Sequence, residues 1–122
     1  MKVCIIDDEV SNIGILAKFL KIKGHESVTT IKGKEGLSFL ENEIFDVTLL
    51  DVDIPDMSGI DIVNALHESG RIKDQKIIIF SAANMEEKVL DDLKGKGVID
   101  ILKKPMDLSE LITKLEEIVK SN

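Results

Sequence analysis

The sequence predicts a single α/β domain, residues 1–122, built on a five-stranded parallel sheet with helices on both faces. Short runs at 3–6, 47–50, 77–80 and 98–102 are rich in Val, Ile and Leu without strict alternation, the pattern of strands covered on both sides. Segments with helical spacing of apolar residues separate these runs, so strand and helix alternate along the chain. Such alternation implies right-handed crossovers and parallel strands. A chain of 122 residues, 43% of them hydrophobic, can bury one substantial core without disulfides, and a second domain within it is not expected.

The first strand, at 3–6, leads into a helix expected over 10–23, which buries Ile13, Leu16 and Leu20 and stops at Gly24, a residue able to take the left-handed conformation of a helix end. Residues 27–31 form a weaker, more polar run that suits an edge strand. Gly33 and Gly36 bracket the start of a second helix through Leu40. After the strand at 47–50, a third helix begins near Gly59 and carries Ile62, Val63 and Leu66. After the strand at 77–80, a fourth runs from Asn84, whose spacing to Glu87 is that of a helix cap, and carries Val89, Leu90 and Leu93 to Gly95 or Gly97. The last strand, at 98–102, precedes a helix started by Asp107 and Glu110. Leu108, Leu111, Ile112, Leu115 and Val119 give that helix its apolar face.

The formal net charge of −7 opposes binding to a phosphate backbone, and no basic cluster offers a local exception, so direct nucleic-acid binding is not expected. No apolar stretch approaches the roughly 20 residues needed to cross a bilayer. The single Cys4 lies in an apolar run and cannot close an internal disulfide, which suits a buried thiol in a reducing compartment. The expected location is the cytoplasm. His25 and His67 lie outside every motif and read as surface residues.

Polar residues stand at the carboxyl ends of four strands: Asp7 and Asp8 after the first, Asp51 after the third, Ser81 after the fourth and Lys104 after the fifth. Parallel strands point those ends at one edge of the sheet, where ligands of open α/β sheets bind. Two negative charges about 4 Å apart repel by about 4 kcal/mol at an effective dielectric near 20, so clustered carboxylates call for protonation or a cation. Magnesium prefers oxygen ligands and commonly binds through one or two carboxylates and a phosphate oxygen. Ser81 and Lys104 can each contact a phosphoryl oxygen. Lys104 precedes Pro105, where a cis peptide is far cheaper than elsewhere. Glu9 either extends the acidic pocket or favours the positive end of the first helix, and the latter is preferred.

Through Ile5-Ile6-Asp7-Asp8-Glu9, Leu50-Asp51-Val52-Asp53-Ile54-Pro55-Asp56-Met57-Ser58-Gly59, Phe80-Ser81-Ala82 and Lys103-Lys104-Pro105, the chain resembles the receiver domains of two-component response regulators, including chemotaxis receivers, over essentially its whole length. The resemblance implies a doubly wound, flavodoxin-like fold with strand order 2-1-3-4-5, which sets Asp7, Asp8 and Asp51 face to face. It implies phosphoryl transfer to Asp51 from a histidine kinase or a phosphotransfer protein. Mg²⁺ would be held by Asp7, Asp8, Asp51 and the backbone carbonyl of Asp53, with Ser81 the switch hydroxyl and Lys104 the phosphate-sensing cation. The domain would later hydrolyse its own acyl phosphate without being a conventional enzyme. Phosphorylation would switch a surface of the fourth helix, fifth strand and fifth helix that engages a downstream protein or a second copy of the chain.

Two features depart from the family pattern. The position three residues before the site lysine, often aromatic in receivers, is Ile101, and the chain has no Tyr or Trp. Asp53 adds an acid, and Ala83 no polar group, beside the path of the hydrolytic water. Pro55 and Gly59 are expected to shape the loop after Asp51 rather than touch phosphate. Two other functions compete: a phosphorylation-independent docking module of the same fold, and a haloacid-dehalogenase-like phosphatase suggested by Asp51-Val52-Asp53. The latter class places its nucleophilic pair on the first strand and its metal acids last, the reverse of the order here.

Overall fold

The computed structural model describes residues 1–121. Five parallel strands, β1 (Lys2–Ile6), β2 (Glu26–Thr30), β3 (Val47–Leu50), β4 (Ile77–Ser81) and β5 (Asp100–Lys103), form one sheet in the order β2-β1-β3-β4-β5. Between and after them lie α1 (Val10–Ile22), α2 (Gly33–Asn42), α3 (Gly59–Ser69), α4 (Glu87–Lys96) and α5 (Leu108–Lys120). The doubly wound order that the resemblance implies is the order observed. β1 and β3 are neighbours, with Ile6 opposite Leu50, so the residues that follow each strand emerge side by side.

The sheet divides the interior into two cores because successive strand side chains point to opposite faces. Cys4, Ile6, Leu50, Ile77 and Ile79 pack with Leu40, Ile62, Val63, Leu66 and Leu93 from α2, α3 and α4. Val3, Ile5, Val47, Leu49, Ile78 and Leu102 pack with Ile13, Leu16 and Leu20 of α1 and Leu111, Ile112 and Leu115 of α5. Each fully buried aliphatic side chain stabilises the fold by about 1.5–3 kcal/mol before entropy is counted. Cys4 lies wholly inside, and burial pushes its thiol up to about 12. Among the described residues no helix is long and apolar enough to cross a membrane.

Gly24 follows α1 with a φ of 85°, as its expected place at a helix end requires. Asp107 caps α5 by accepting from the Ser109 N–H at 3.2 Å. Two local expectations are corrected. α4 begins at Glu87, not Asn84, because the Asn84 carboxamide oxygen accepts from Lys103 Nζ at 2.6 Å and does not cap the helix. His25 is not simply on the surface. Its ring is held with Nε2 2.9 Å from Glu116 of α5 and Nδ1 3.0 Å from the Met1 amino group, whereas His67 is exposed.

Candidate functional site

The carboxyl edge of the sheet gathers the polar residues that end its strands. Asp7 and Asp51 follow β1 and β3 directly and are buried, and Asp8 is exposed at the mouth. One carboxylate oxygen from each of Asp7, Asp8 and Asp51 lies within 4.8 Å of the others. Lys104, just past β5, reaches across the sheet edge to place Nζ 2.6 Å from Asp7 Oδ2, 3.2 Å from Asp51 Oδ2 and 3.4 Å from Glu9 Oε1. The Lys104–Pro105 peptide is cis. Its ammonium also sits 5.4 Å from the centre of the Phe80 ring, within reach of a cation–π attraction.

This ion cluster is electrostatically tense. Burial raises the Asp7 pKa, while hydrogen bonds from Lys104 and the Glu9 N–H at 2.9 Å pull the other way. For Lys104, burial disfavours the charged form, but the contacts with Asp7 and Asp51 outweigh it and hold the ammonium above its ordinary value. One lysine among three aspartates leaves an excess of negative charge, and hard oxygen donors at this spacing suit a divalent cation. A cavity of about 390 Å³ continues from the cluster between α1 and α5, where Ile13, Leu16, Phe80, Met106 and Leu111 wall it with apolar surface.

The other expected residues are distributed less simply. Ser81 is buried as the last residue of β4, and its Oγ accepts from the Ala83 N–H at 3.2 Å. Asp53 is exposed, and its backbone N–H donates to Asp51 Oδ1 at 3.3 Å, which orients the Asp51 carboxylate. Glu9 precedes α1 without capping it through its side chain. It instead holds Asn12 at 2.7 Å and borders the Lys104 ammonium, so it belongs to the pocket rim as well as to the helix start. Gly59 opens α3 directly against the backbone of Asp51 and Val52.

Two contributors have no signal in local spacing. Asp56, in the loop after Asp51, accepts from the N–H groups of Gly33 at 2.7 Å and Lys34 at 3.0 Å, and so caps α2 from a distance. Lys103, adjacent to the site lysine, donates to three acceptors in the turn after Ser81.

The molecule is thus a doubly wound α/β domain with a lysine-bridged carboxylate cluster at its switch point. The chain belongs to the response regulator receiver domain family, which it matches over residues 3–116. It is 32% identical over 120 residues to the cell cycle response regulator CtrA of Brucella ovis, covering 98% of this chain and 50% of that protein. The chain therefore spans about half the length of the curated relatives it matches. Among solved structures, it is similar to the receiver domain of the Francisella response regulator 1452, at 27% identity and a TM-score of 0.85, covering 98% of this chain and 96% of that one. The receiver domain of the sensor histidine kinase PA1611 from Pseudomonas aeruginosa, solved with a magnesium ion in its active-site cleft, shares the fold. That match has 20% identity and a TM-score of 0.78, covering 98% of each chain.

Proposed function

We propose that this chain, as one receiver unit, accepts a phosphoryl group on Asp51 from the phosphohistidine of a histidine kinase or a phosphotransfer protein. The observation that supports it most is the convergence of Asp7, Asp8, Asp51 and Lys104, from three different strands, on one pocket a few ångströms across. Asp7, Asp8, Asp51 and the Asp53 carbonyl would hold Mg²⁺, which when bound draws negative charge off the transferring phosphoryl group. The Asp51 oxygen attacks phosphorus in line, the P–N bond breaks, and the imidazole departs with the electron pair. Lys104 then exchanges part of its carboxylate contact for a phosphoryl oxygen, and Ser81 donates its hydroxyl to another. Hydrolysis later returns Asp51 to the free carboxylate by attack of water on phosphorus.

The charge added, roughly −1.5 to −2 near neutrality, draws Ser81 and the turn after it toward Asp51. The readout is a changed surface on α4, β5 and α5 offered to a downstream protein or a second copy of the chain, in the cytoplasm. Moving a population from 1:99 to 99:1 requires about 5.5 kcal/mol of preference for the active state. Phosphoramidate with Mg²⁺ tests the assignment: the wild type gains one phosphoryl group by intact mass and Asp51→Asn gains none. Equal labelling of both, or labelling of neither, refutes it, and the second result favours the phosphorylation-independent docking module.

A further inference from the structure

The turn that carries Ser81 is tied down by a side chain of the neighbouring strand. Lys103 Nζ donates to the carbonyl oxygen of Ala82 at 2.8 Å, to that of Ala83 at 3.0 Å and to Asn84 Oδ1 at 2.6 Å. All three donors of one ammonium are thus engaged by three consecutive residues. The same turn is closed from inside by the Ala83 N–H on Ser81 Oγ. Lys103 stands opposite Ser81 in the β4–β5 register.

Alternation along β5 places Lys103 on the same face as Ile101, which packs against the core beneath α2, α3 and α4, while Leu102 between them enters the opposite core. Ile101 offers no ring and no polar atom to connect β5 with the β4–α4 turn. Lys103 makes that connection two residues further along the same face.

We infer that Lys103 is a latch that holds the β4–α4 turn in its resting position, and that closure of Ser81 onto phosphorylated Asp51 works against its three hydrogen bonds. The inference rests on the phosphoacceptor reading of Asp51. Moving Ser81 inward opens its bond with Ala83 and turns the Ala82 and Ala83 carbonyls, which one ammonium on a fixed strand cannot follow together. The helix downstream is suited to respond, because Leu93 is its sole buried residue. At its far end, Lys96 Nζ contacts Asn64 of α3 at 2.6 Å and Asp92 at 2.8 Å. Release of the latch therefore frees the amino-terminal end of α4 while its carboxyl-terminal end stays docked.

The latch acts on position, not on the chemistry of transfer, and its removal has a sign opposite to the loss of a structural support. Lys103→Met is expected to speed amide exchange in the turn at residues 82–86 of the unphosphorylated protein several-fold. It should also tighten the apparent affinity for beryllofluoride with Mg²⁺ by about three- to tenfold, a modest gain because the ammonium is exposed. Lys103→Arg, which keeps the charge and the donors, should restore both values toward wild type. Unchanged exchange in Lys103→Met overturns the latch, and unchanged or weaker beryllofluoride affinity overturns its opposition to closure. If the wild type binds no beryllofluoride, the phosphoacceptor reading fails and the coupling with it, while the exchange measurement still decides whether Lys103 restrains the turn.

Discussion

Gly59, the first residue of α3, lies so close to the backbone carbonyl of Asp51 that a Cβ at position 59 would overlap the carbonyl oxygen. Backbone cannot swing aside as the end of a side chain can. The start of α3 and Asp51 are therefore held in a close backbone contact that a residue with no side chain at 59 allows.

Gly59→Ala should push Asp51 out of register with Asp7 and Lys104. The expected cost is about 1–3 kcal/mol of stability, with slower labelling by phosphoramidate. Gly14→Ala is the opposite control: it lies inside α1 with nothing within 4 Å of an added Cβ, and should stabilise the protein by about 0.5–1 kcal/mol. Urea melts of the two variants against wild type check both signs.

Removing the ammonium at the centre of the site leaves buried carboxylates facing one another. Lys104→Met is expected to lose about 1–3 kcal/mol in metal-free buffer. Because a divalent cation can then neutralise what Lys104 no longer does, MgCl₂ should raise the melting temperature of the variant more than that of wild type. An equal Mg²⁺ response in both proteins contradicts the electrostatic account of the cluster.

The remote cap on α2 has a pH signature. Backbone N–H groups of Lys34 and Gly33 hold the exposed Asp56 carboxylate below the usual carboxylate range. A group more easily ionised in the folded state contributes fully above its ordinary value of 3.8 and loses that contribution as pH falls through the depressed folded value. Asp56→Asn should therefore melt below wild type at neutral pH, with the gap closing in acid. A gap that persists at the lowest pH rules out the charged cap.

Most of the fold was legible because buried parallel strands are nearly pure apolar runs and the helices between them carry a clear apolar face. The edge strand read weakly for the reason it sits at the edge: Ser27, Thr29 and Thr30 accompany only partly covered neighbours. The gathering of Asp7, Asp8, Asp51 and Lys104 was legible because each stands just past the end of a strand, and parallel topology brings strand ends together whatever their separation in sequence. What escaped depends on side-chain reach between elements. Asn84 has the spacing of a cap, yet its carboxamide is claimed by Lys103. Asp56 caps a helix 23 residues earlier in the chain, and His25 is covered by Glu116 of the last helix. The 3-10 turn Arg71–Asp74, which follows Gly70 at a φ of 79°, lies in the connection between α3 and β4.

Chemical trapping of the acyl phosphate tests the central claim most directly. Protein treated with phosphoramidate and Mg²⁺ and then reduced with borohydride should carry homoserine at position 51, found by peptide mass spectrometry, because hydride cleaves the acyl phosphate and reduces the aspartyl carbonyl to an alcohol. Homoserine at Asp7, Asp8 or Asp53, or at no position, would contradict the account.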